Sequence, residues 1–545
     1  MTMRKVIWIF LALLPGVQAF SQISNGGTPA SFELSLKSTN DIPMFVLPEV
    51  DRDRLLMEDM DSEVTGCNYR VAKAFQVDLN PDNSGKWDDL ADGGRIWRLR
   101  IKAPGASGLN VYFNRYTLPE EASLFIYSPD RSKILGGYTS ANNKEFGKLN
   151  VQPLAGEELV VEYNEPAGYE GKALLQIGNI GHFYRGNALF STAGYGDSES
   201  CNKNVICADG DNWRDQIRSV AKILFQDNSG NYFLCSGALI NNAKNDGTAY
   251  LLTANHCLPF YIQAESAIFY FNYESPVCSP QQDGDDTQTI SGSSIIVTSN
   301  LLDFCLVKLS KPPPESYNVY YSGWDATPDA PEQGVCIHHP IGDIKKITLY
   351  TKAPVTGDFV YEWDFDDNTH WYIAKWAKGI TQGGSSGSPL YNQDKRIVGD
   401  LTGGSTIANC TSADAYFAKF SESWDKYSEP KYQLKAWLDP DNKGVTYLDG
   451  IDASEAIGIR DSPDNLISVY PNPVENMLYL HSPAGYSPTQ IHLYDLSGRI
   501  IKGLTGTGNT NTIMADVSSL QPGLYLLRIM INDQSVTKKI VIRSF

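Results

Sequence analysis

The chain has 545 residues, of which 42% are hydrophobic and 20% charged, with a formal net charge of −18. These are the proportions of a globular protein, and the length allows about three or four domains of roughly 150 residues. The acidic balance argues against a nucleic-acid partner, since such binding depends on clustered Lys and Arg, and mainly favours solubility.

Residues 1–19 read as a secretory signal peptide. Arg4 and Lys5 form its positive end, residues 6–14 its apolar stretch, and Val17, Gln18 and Ala19 a small-residue cleavage site. The apolar stretch is too short to span a bilayer, and no later segment is long and apolar enough to do so. The chain is therefore expected to leave the cytoplasm through the periplasm, where disulfides form. Residues 94–130 alternate apolar and polar side chains in short runs broken by Gly and Pro, and LVVEY at 159–163 continues the pattern. Antiparallel strands are predicted there.

Three motifs further along carry chemistry. AYLLTANHC at 249–257 is an apolar run that delivers His256, and LLDFCLVKLS at 301–310 puts Asp303 at the head of a strand-like alternation. GGSSGSPL at 383–390 places Ser386 in a glycine-rich turn. A serine hydroxyl is a poor nucleophile at neutral pH and needs an adjacent base such as histidine. An aspartate can in turn hold the imidazole tautomer and stabilise the imidazolium. Glycine allows the tight turn that brings backbone close to a substrate. In that turn the N–H groups of Gly384 and Ser386 would form an oxyanion hole. Alone, GSSGS would read as a flexible linker. The order His256, Asp303, Ser386 is that of chymotrypsin and not that of subtilisin or the α/β-hydrolases.

Other candidate sites carry less. Asp439, Asp441 and Gly444 are spaced like a calcium loop, but Lys443 falls at a ligand position and Gly450 where a bidentate Glu belongs. His338 and His339 lack the spacing and further ligands of a zinc site and read as loop residues. Asp283, Asp285 and Asp286 read as a solvated loop. No metal and no cofactor is expected.

Residues 200–223, SCNKNVICADGDNWRDQIRSVAKI, resemble the mature start of secreted bacterial lysyl endopeptidases. The resemblance runs from about 196 to about 452 and includes all three motifs. It implies a mainly β chain: a chymotrypsin-like double β-barrel over 196–454, preceded by a β-rich propeptide over 20–195. The implied disulfides are Cys201 with Cys410, Cys207 with Cys278, and Cys235 with Cys257. Cys305 and Cys336 are then either bonded to each other or free and buried. Cys67 lies far upstream of the rest.

Six residues before Ser386, where trypsin has its pocket aspartate, stands Ile380, so a trypsin pocket is absent. The family supplies a carboxylate after the serine, between a pocket-wall strand and a Ser-Trp pair. Here the wall is VGDLTGG at 398–404, with Thr402, Gly403 and Gly404 lining the substrate, and the pair is Ser423 and Trp424. Counting back from 420–424 puts Ala415 at the family's position and Asp414 one residue earlier. Asp414 is either brought into place by an insertion, to pair with a substrate Lys or Arg, or faces solvent. The family has a histidine where Thr402 stands. Ser385 replaces the aspartate that receives trypsin's new N-terminus, so latency is expected to come from a propeptide cleaved near Tyr195 and Gly196. No lysine sits at that junction, and self-cleavage there by a lysine-specific enzyme is not expected.

Residues 455–466 read as a linker. From 467 to 545, VYPNPVENMLYL, IHLYDLSGRII, DVSSLQPGLYLLRI and TKKIVI are short alternating strands between Gly and Pro turns, hence a small β-sandwich. The set resembles the type IX secretion sorting domain of Bacteroidetes. A carbohydrate-binding or adhesion module would share this architecture. The expected function is a secreted or cell-surface serine endopeptidase acting on proteins or peptides after Lys or Arg, engaging the type IX machinery through its C-terminal domain. The alternative is a catalytically silent exported surface protein that uses the same folds for binding.

Overall fold

The structure is a computed structural model. It describes residues 26–33, 41–64, 69–185, 196–279, 281–360, 364–405 and 409–456, and in the C-terminal part 468–470, 474, 476–481, 488–495, 499–504, 512–531 and 534–543. The expected signal peptide, Cys67, residue 195 and most of the expected linker lie outside these residues.

Two antiparallel sheets build the protease region, and each follows from a run of apolar residues at strand spacing. The first orders its strands Thr289–Ser291, Ile268–Phe271, Val220–Gln226, Asn231–Leu239, Tyr250–Ala254, Phe304–Leu309 and Ser293–Ser299. Val220–Gln226 is buried along its whole length, as a strand covered on both faces must be. The second sheet runs Lys203–Asn204, Lys346–Tyr350, Gly334–His338, Pro389–Tyr391, Ile397–Gly403, Ala415–Lys419, His370–Ile373 and Val355–Gly357. Leu252, Phe304 and Leu306 from the first sheet share one core with Val335, Ile337 and Ile397 from the second. Trp324 closes that core, with ring centroids 4.5 Å from Trp424 and 5.6 Å from Phe420. This is the chymotrypsin-like arrangement of two β-barrels, and the motif residues come from both: His256 and Asp303 from the first, Ser386 from the second.

The region before residue 186 is β-rich. Arg95–Lys102, Gly108–Thr117 and Ser123–Tyr127 are strands, and LVVEY lies inside the strand Glu158–Glu165. Tyr69–Leu79 pairs antiparallel with Leu174–Phe183 on one side and with Asn231–Leu239 of the protease on the other, from Lys73 opposite Asn231 to Tyr69 opposite Leu234. The two regions therefore share one continuous sheet, and their described residues up to 453 belong to one compact unit.

A second compact unit holds residues 454–545 with 245–247. Among its described residues a three-stranded sheet, Ser468–Tyr470, Met477–His481 and Thr512–Asp516, accompanies a four-stranded one made of Ile500–Leu504, Pro488–Tyr494, Gly523–Ile531 and Gln534–Ile542. Leu478 and Leu480 of the first sheet and Leu493, Leu527 and Ile540 of the second form its apolar core, which makes it a β-sandwich. No helix among the described residues is long and apolar enough to cross a membrane.

Candidate active site

His256 lies just past the strand Tyr250–Ala254, and Asp303 just before its antiparallel neighbour Phe304–Leu309, so strand pairing alone brings the two together. The Nδ1 of His256 is 2.9 Å from Oδ2 and 3.0 Å from Oδ1 of Asp303, and the His256 N–H donates to Oδ1 at 3.0 Å. Asn255 donates its N–H to the Asp303 carbonyl at 3.0 Å. Asp303 is fully buried and has a left-handed φ of 53°, a conformation that aspartate tolerates better than most side chains. A carboxylate taken out of water needs such partners, and these fix the imidazole with Nδ1 protonated and Nε2 turned away from Asp303.

The glycine-rich turn at 383–390 docks on the strand Asn231–Leu239, which also holds the His256 loop. Ser236 donates its N–H to the Ser386 carbonyl at 2.8 Å and its Oγ–H to the Gly384 carbonyl at 3.0 Å. Its neighbour Cys235 is bonded to Cys257, and the His256 ring has a nitrogen within 4.8 Å of both sulfurs. One strand thus carries His256 through a disulfide and Ser386 through a backbone hydrogen bond. Within the turn, the N–H groups of Ser385, Gly387 and Ser388 donate to Gln382, Leu401 and Ser385 carbonyls. Those of Gly384 and Ser386 donate to no carbonyl among the described residues. Gly384 and Gly387 have φ of 85° and 78°, and Ser386 is half-buried between them.

Ser385 has a role that its sequence position did not indicate. Its hydroxyl accepts the Gln382 N–H at 3.2 Å and lies 2.7 Å from Nδ1 of His338, so it donates to that nitrogen. The His338 Nε2–H then donates to Thr348 Oγ1 at 2.8 Å, and Thr348 donates to the Ile380 carbonyl at 3.4 Å. His338 and His339 are fully buried; His338 ends a strand, which corrects its reading as a loop residue, whereas His339 stands in the loop that follows. This chain of bonds needs an unprotonated Nδ1, and burial pushes the His338 pKa down to about 3. Burial likewise lowers His370 to about 4. Both fall below the unfolded value of about 6.5, so the contribution to stability is whole above pH 6.5 and is lost as the pH falls towards 4 and 3. The thermal midpoint should drop steadily over that window, and His338→Gln should flatten part of the drop. Identical slopes for the two proteins would contradict the assignment.

Thr402 and Gly403 lie on or at the end of the strand Ile397–Gly403, and Gly404 follows. Thr402 Oγ1 is 3.1 Å from Nε2 of His370, a buried histidine of the same sheet whose ring lies 6.0 Å from that of Phe359 and 5.2 Å from that of Phe365. Nothing in the sequence marks His370, because its partners come from distant segments. Asp414 is half-buried at the start of Ala415–Lys419. It accepts the Ser405 N–H at 2.6 Å and the Tyr372 hydroxyl at 3.4 Å, so its carboxylate is tied to the wall loop after Gly404. Asp400, on the same strand, is buried, and burial together with the Asp303 charge holds its pKa well above the carboxylate range.

Disulfides join Cys201 to Cys410, Cys207 to Cys278, and Cys235 to Cys257. Cys305 and Cys336 are buried free thiols rather than a fourth bridge, and burial pushes both thiols up to about 12, which keeps them protonated. The sulfurs of Cys235 and Cys257 are committed to each other and offer no thiolate to a metal. Asp439 accepts the N–H groups of Lys443 and Gly444, both at 2.9 Å, and so closes a turn.

A buried Ser-turn, a His–Asp pair and two β-barrels define the class of a chymotrypsin-fold serine protease. Residues 195–418 match the family model of the lysyl endopeptidase C-terminal domain, and residues 468–543 that of the secretion system C-terminal sorting domain. A lysyl endopeptidase of Pseudomonas aeruginosa is 27% identical over 372 residues, spanning 63% of this chain and 76% of the relative. Among solved structures, the protease Anisep of Arthrobacter nicotinovorans is 16% identical, covering 38% of this chain and 91% of that one with a TM-score of 0.27. A Glu endopeptidase is also 16% identical, covering 41% and 93% with a TM-score of 0.26. Residues 195–418 thus form a lysyl endopeptidase-like domain on a chymotrypsin-like fold, and residues 468–543 a C-terminal sorting domain, which indicates export to the cell surface or the medium.

Proposed function

We propose that the chain is an endopeptidase that hydrolyses peptide bonds through an acyl-enzyme on Ser386, cutting after Lys or Arg. His256 Nε2 takes the Ser386 proton as Oγ attacks the scissile carbonyl, then delivers it to the leaving amine. Water, deprotonated by the same nitrogen, releases the acid and restores the serine. Asp303 holds the imidazole and stabilises its protonated form. The N–H groups of Gly384 and Ser386 receive the oxyanion, a contribution often worth about 3 kcal/mol per donor. The observation that carries this reading is the single strand, Asn231–Leu239, that binds both the His256 loop and the Ser386 turn.

Asp414 supplies the negative charge for the substrate cation, held on the wall loop by Ser405 and Tyr372. The region 20–195 is a propeptide. Tyr69 lies against the exposed Gly383, where a β-carbon would come within 3.0 Å of its ring, so this strand stands over the entrance to the turn. A diverse peptide library digested by the processed enzyme should be cut after Lys or Arg, and Asp414→Asn should lower kcat/KM for those sites by about 100-fold, the loss of a charge-assisted pair. Cuts that follow other residues, or an unchanged preference in Asp414→Asn, would refute the specificity.

A further inference from the structure

Ser385 cannot receive a new N-terminus, and its hydroxyl is engaged with His338. A different buried carboxylate stands next to the same turn. Asp343 has no exposed side-chain surface, and its Oδ1 accepts the N–H groups of Gly196 at 2.9 Å and Ile344 at 2.7 Å. Its Oδ2 accepts the Ser198 Oγ–H at 2.5 Å and N–H at 3.3 Å, and lies 3.3 Å from Nζ of Lys346. The first described residue after the expected cleavage point is therefore already fastened to a carboxylate.

That carboxylate belongs to the segment backing the nucleophile turn. The Ile341 N–H donates to the Gly383 carbonyl at 2.6 Å. A β-carbon on Gly384 would come within 3.1 Å of the His339 carbonyl and 3.3 Å of the Gly342 nitrogen. Ile341 itself has a φ of 49°, which a β-branched residue adopts only when its surroundings hold it there. A pull on Asp343 is thus transmitted through two residues to the placement of the Gly384 N–H.

We infer that Asp343 is the receptor for the mature amino terminus of this enzyme, and that hydrolysis of the bond before Gly196 replaces a hydrogen bond from an uncharged amide N–H to Asp343 with an ion pair that steadies the oxyanion turn. The inference rests on the serine protease reading above. In the step, a processing protease adds one water across the bond between residues 195 and 196. The carboxylate leaves with the propeptide, and the Gly196 nitrogen becomes an ammonium group where its N–H now sits. Gly196 is exposed, so solvent limits repulsion from Lys346, whose ammonium is also held by Asn204 and Gln281. Asp343 acts here as a positioning residue, at one remove from the reacting atoms.

The test uses the full chain with the residues before Gly196 replaced by the recognition sequence of a site-specific protease that cuts ahead of glycine. A second form inserts Gly-Ala, so that digestion leaves two extra residues ahead of Gly196. The first digest should have a kcat roughly tenfold above the second, the gain from charging one hydrogen bond. KM and the unfolding midpoint should match between them, and Asp343→Asn should abolish the difference. Equal kcat in the two digests, or a difference that survives Asp343→Asn, would overturn the inference while leaving the protease reading intact. Digests that neither turn over substrate nor react with a fluorophosphonate would overturn both.

Discussion

Asp303→Asn is expected to lower kcat about 10⁴-fold with little change in KM, a loss of the size found when the aspartate of such a triad becomes an amide. Oδ1 of the carboxylate now accepts the backbone N–H of His256, and the Nδ1–H is shared between Oδ1 at 3.0 Å and Oδ2 at 2.9 Å. An asparagine can keep its carbonyl on the backbone N–H, but its NH₂ group then faces Nδ1. The imidazole should respond by moving its proton to Nε2, the nitrogen that accepts the Ser386 proton in the proposed mechanism. Geometry survives while the base is lost. Asp400 supplies the control, because it is a second buried carboxyl group in the same neighbourhood and burial raises its pKa. Asp400→Asn should keep kcat within about threefold, since burial favours the uncharged form of this group and an amide matches that form in shape. Steady-state kinetics of the processed proteins check both, and comparable losses in the two variants would contradict the assignment of Asp303.

Gly387→Ala should destabilise the protease unit by about 3–5 kcal/mol, combining a left-handed alanine with overpacking. A β-carbon there would lie 2.0 Å from Thr253 Oγ1, 2.5 Å from the Ser236 carbonyl and 2.8 Å from the Ala254 nitrogen. Two of these are backbone atoms of the strands that hold His256, so they cannot yield without moving the base. Thr253 is fixed as well, donating to the Ser236 carbonyl at 2.8 Å. Gly105 isolates the backbone part of the effect: it has a φ of 75° and no atom within 4 Å of its would-be β-carbon. Gly105→Ala should cost only about 1 kcal/mol, the conformational penalty alone. Denaturant unfolding of both variants measures the difference, and similar losses would show that the close approach of Gly387 carries no weight.

The residues proposed for chemistry were legible because each imposes a local requirement on its own segment. A nucleophile turn needs glycines beside the serine, and a base needs a strand to deliver it, so 249–257 and 383–390 were recognisable as strings. The strand alternations at 94–130 and 159–163 were legible for a similar reason, since period two is written along the chain. What remained hidden depends on partners far apart in sequence. His338 orients Ser385 across 47 residues, His370 meets Thr402 across 32, and Asp343 holds Gly196 across 147. No spacing rule connects such pairs. The shared sheet between Tyr69–Leu79 and Asn231–Leu239 was hidden too, because the open side of a strand, here from Asn231 to Leu234, does not announce which chain segment will cover it. Asp414 shows an intermediate case: its place beyond the wall strand could be counted, but its attachment to Ser405 and Tyr372 could not.

The most direct measurement is active-site labelling of the processed protein with a fluorophosphonate, which phosphonylates only a serine activated by a base. One equivalent should be incorporated, located by peptide mapping at Ser386, with labelling abolished in Ser386→Ala and slowed in Asp303→Asn. An unlabelled processed protein, or equal labelling of Ser386→Ala, would contradict the assignment of this chain as a serine endopeptidase acting through Ser386.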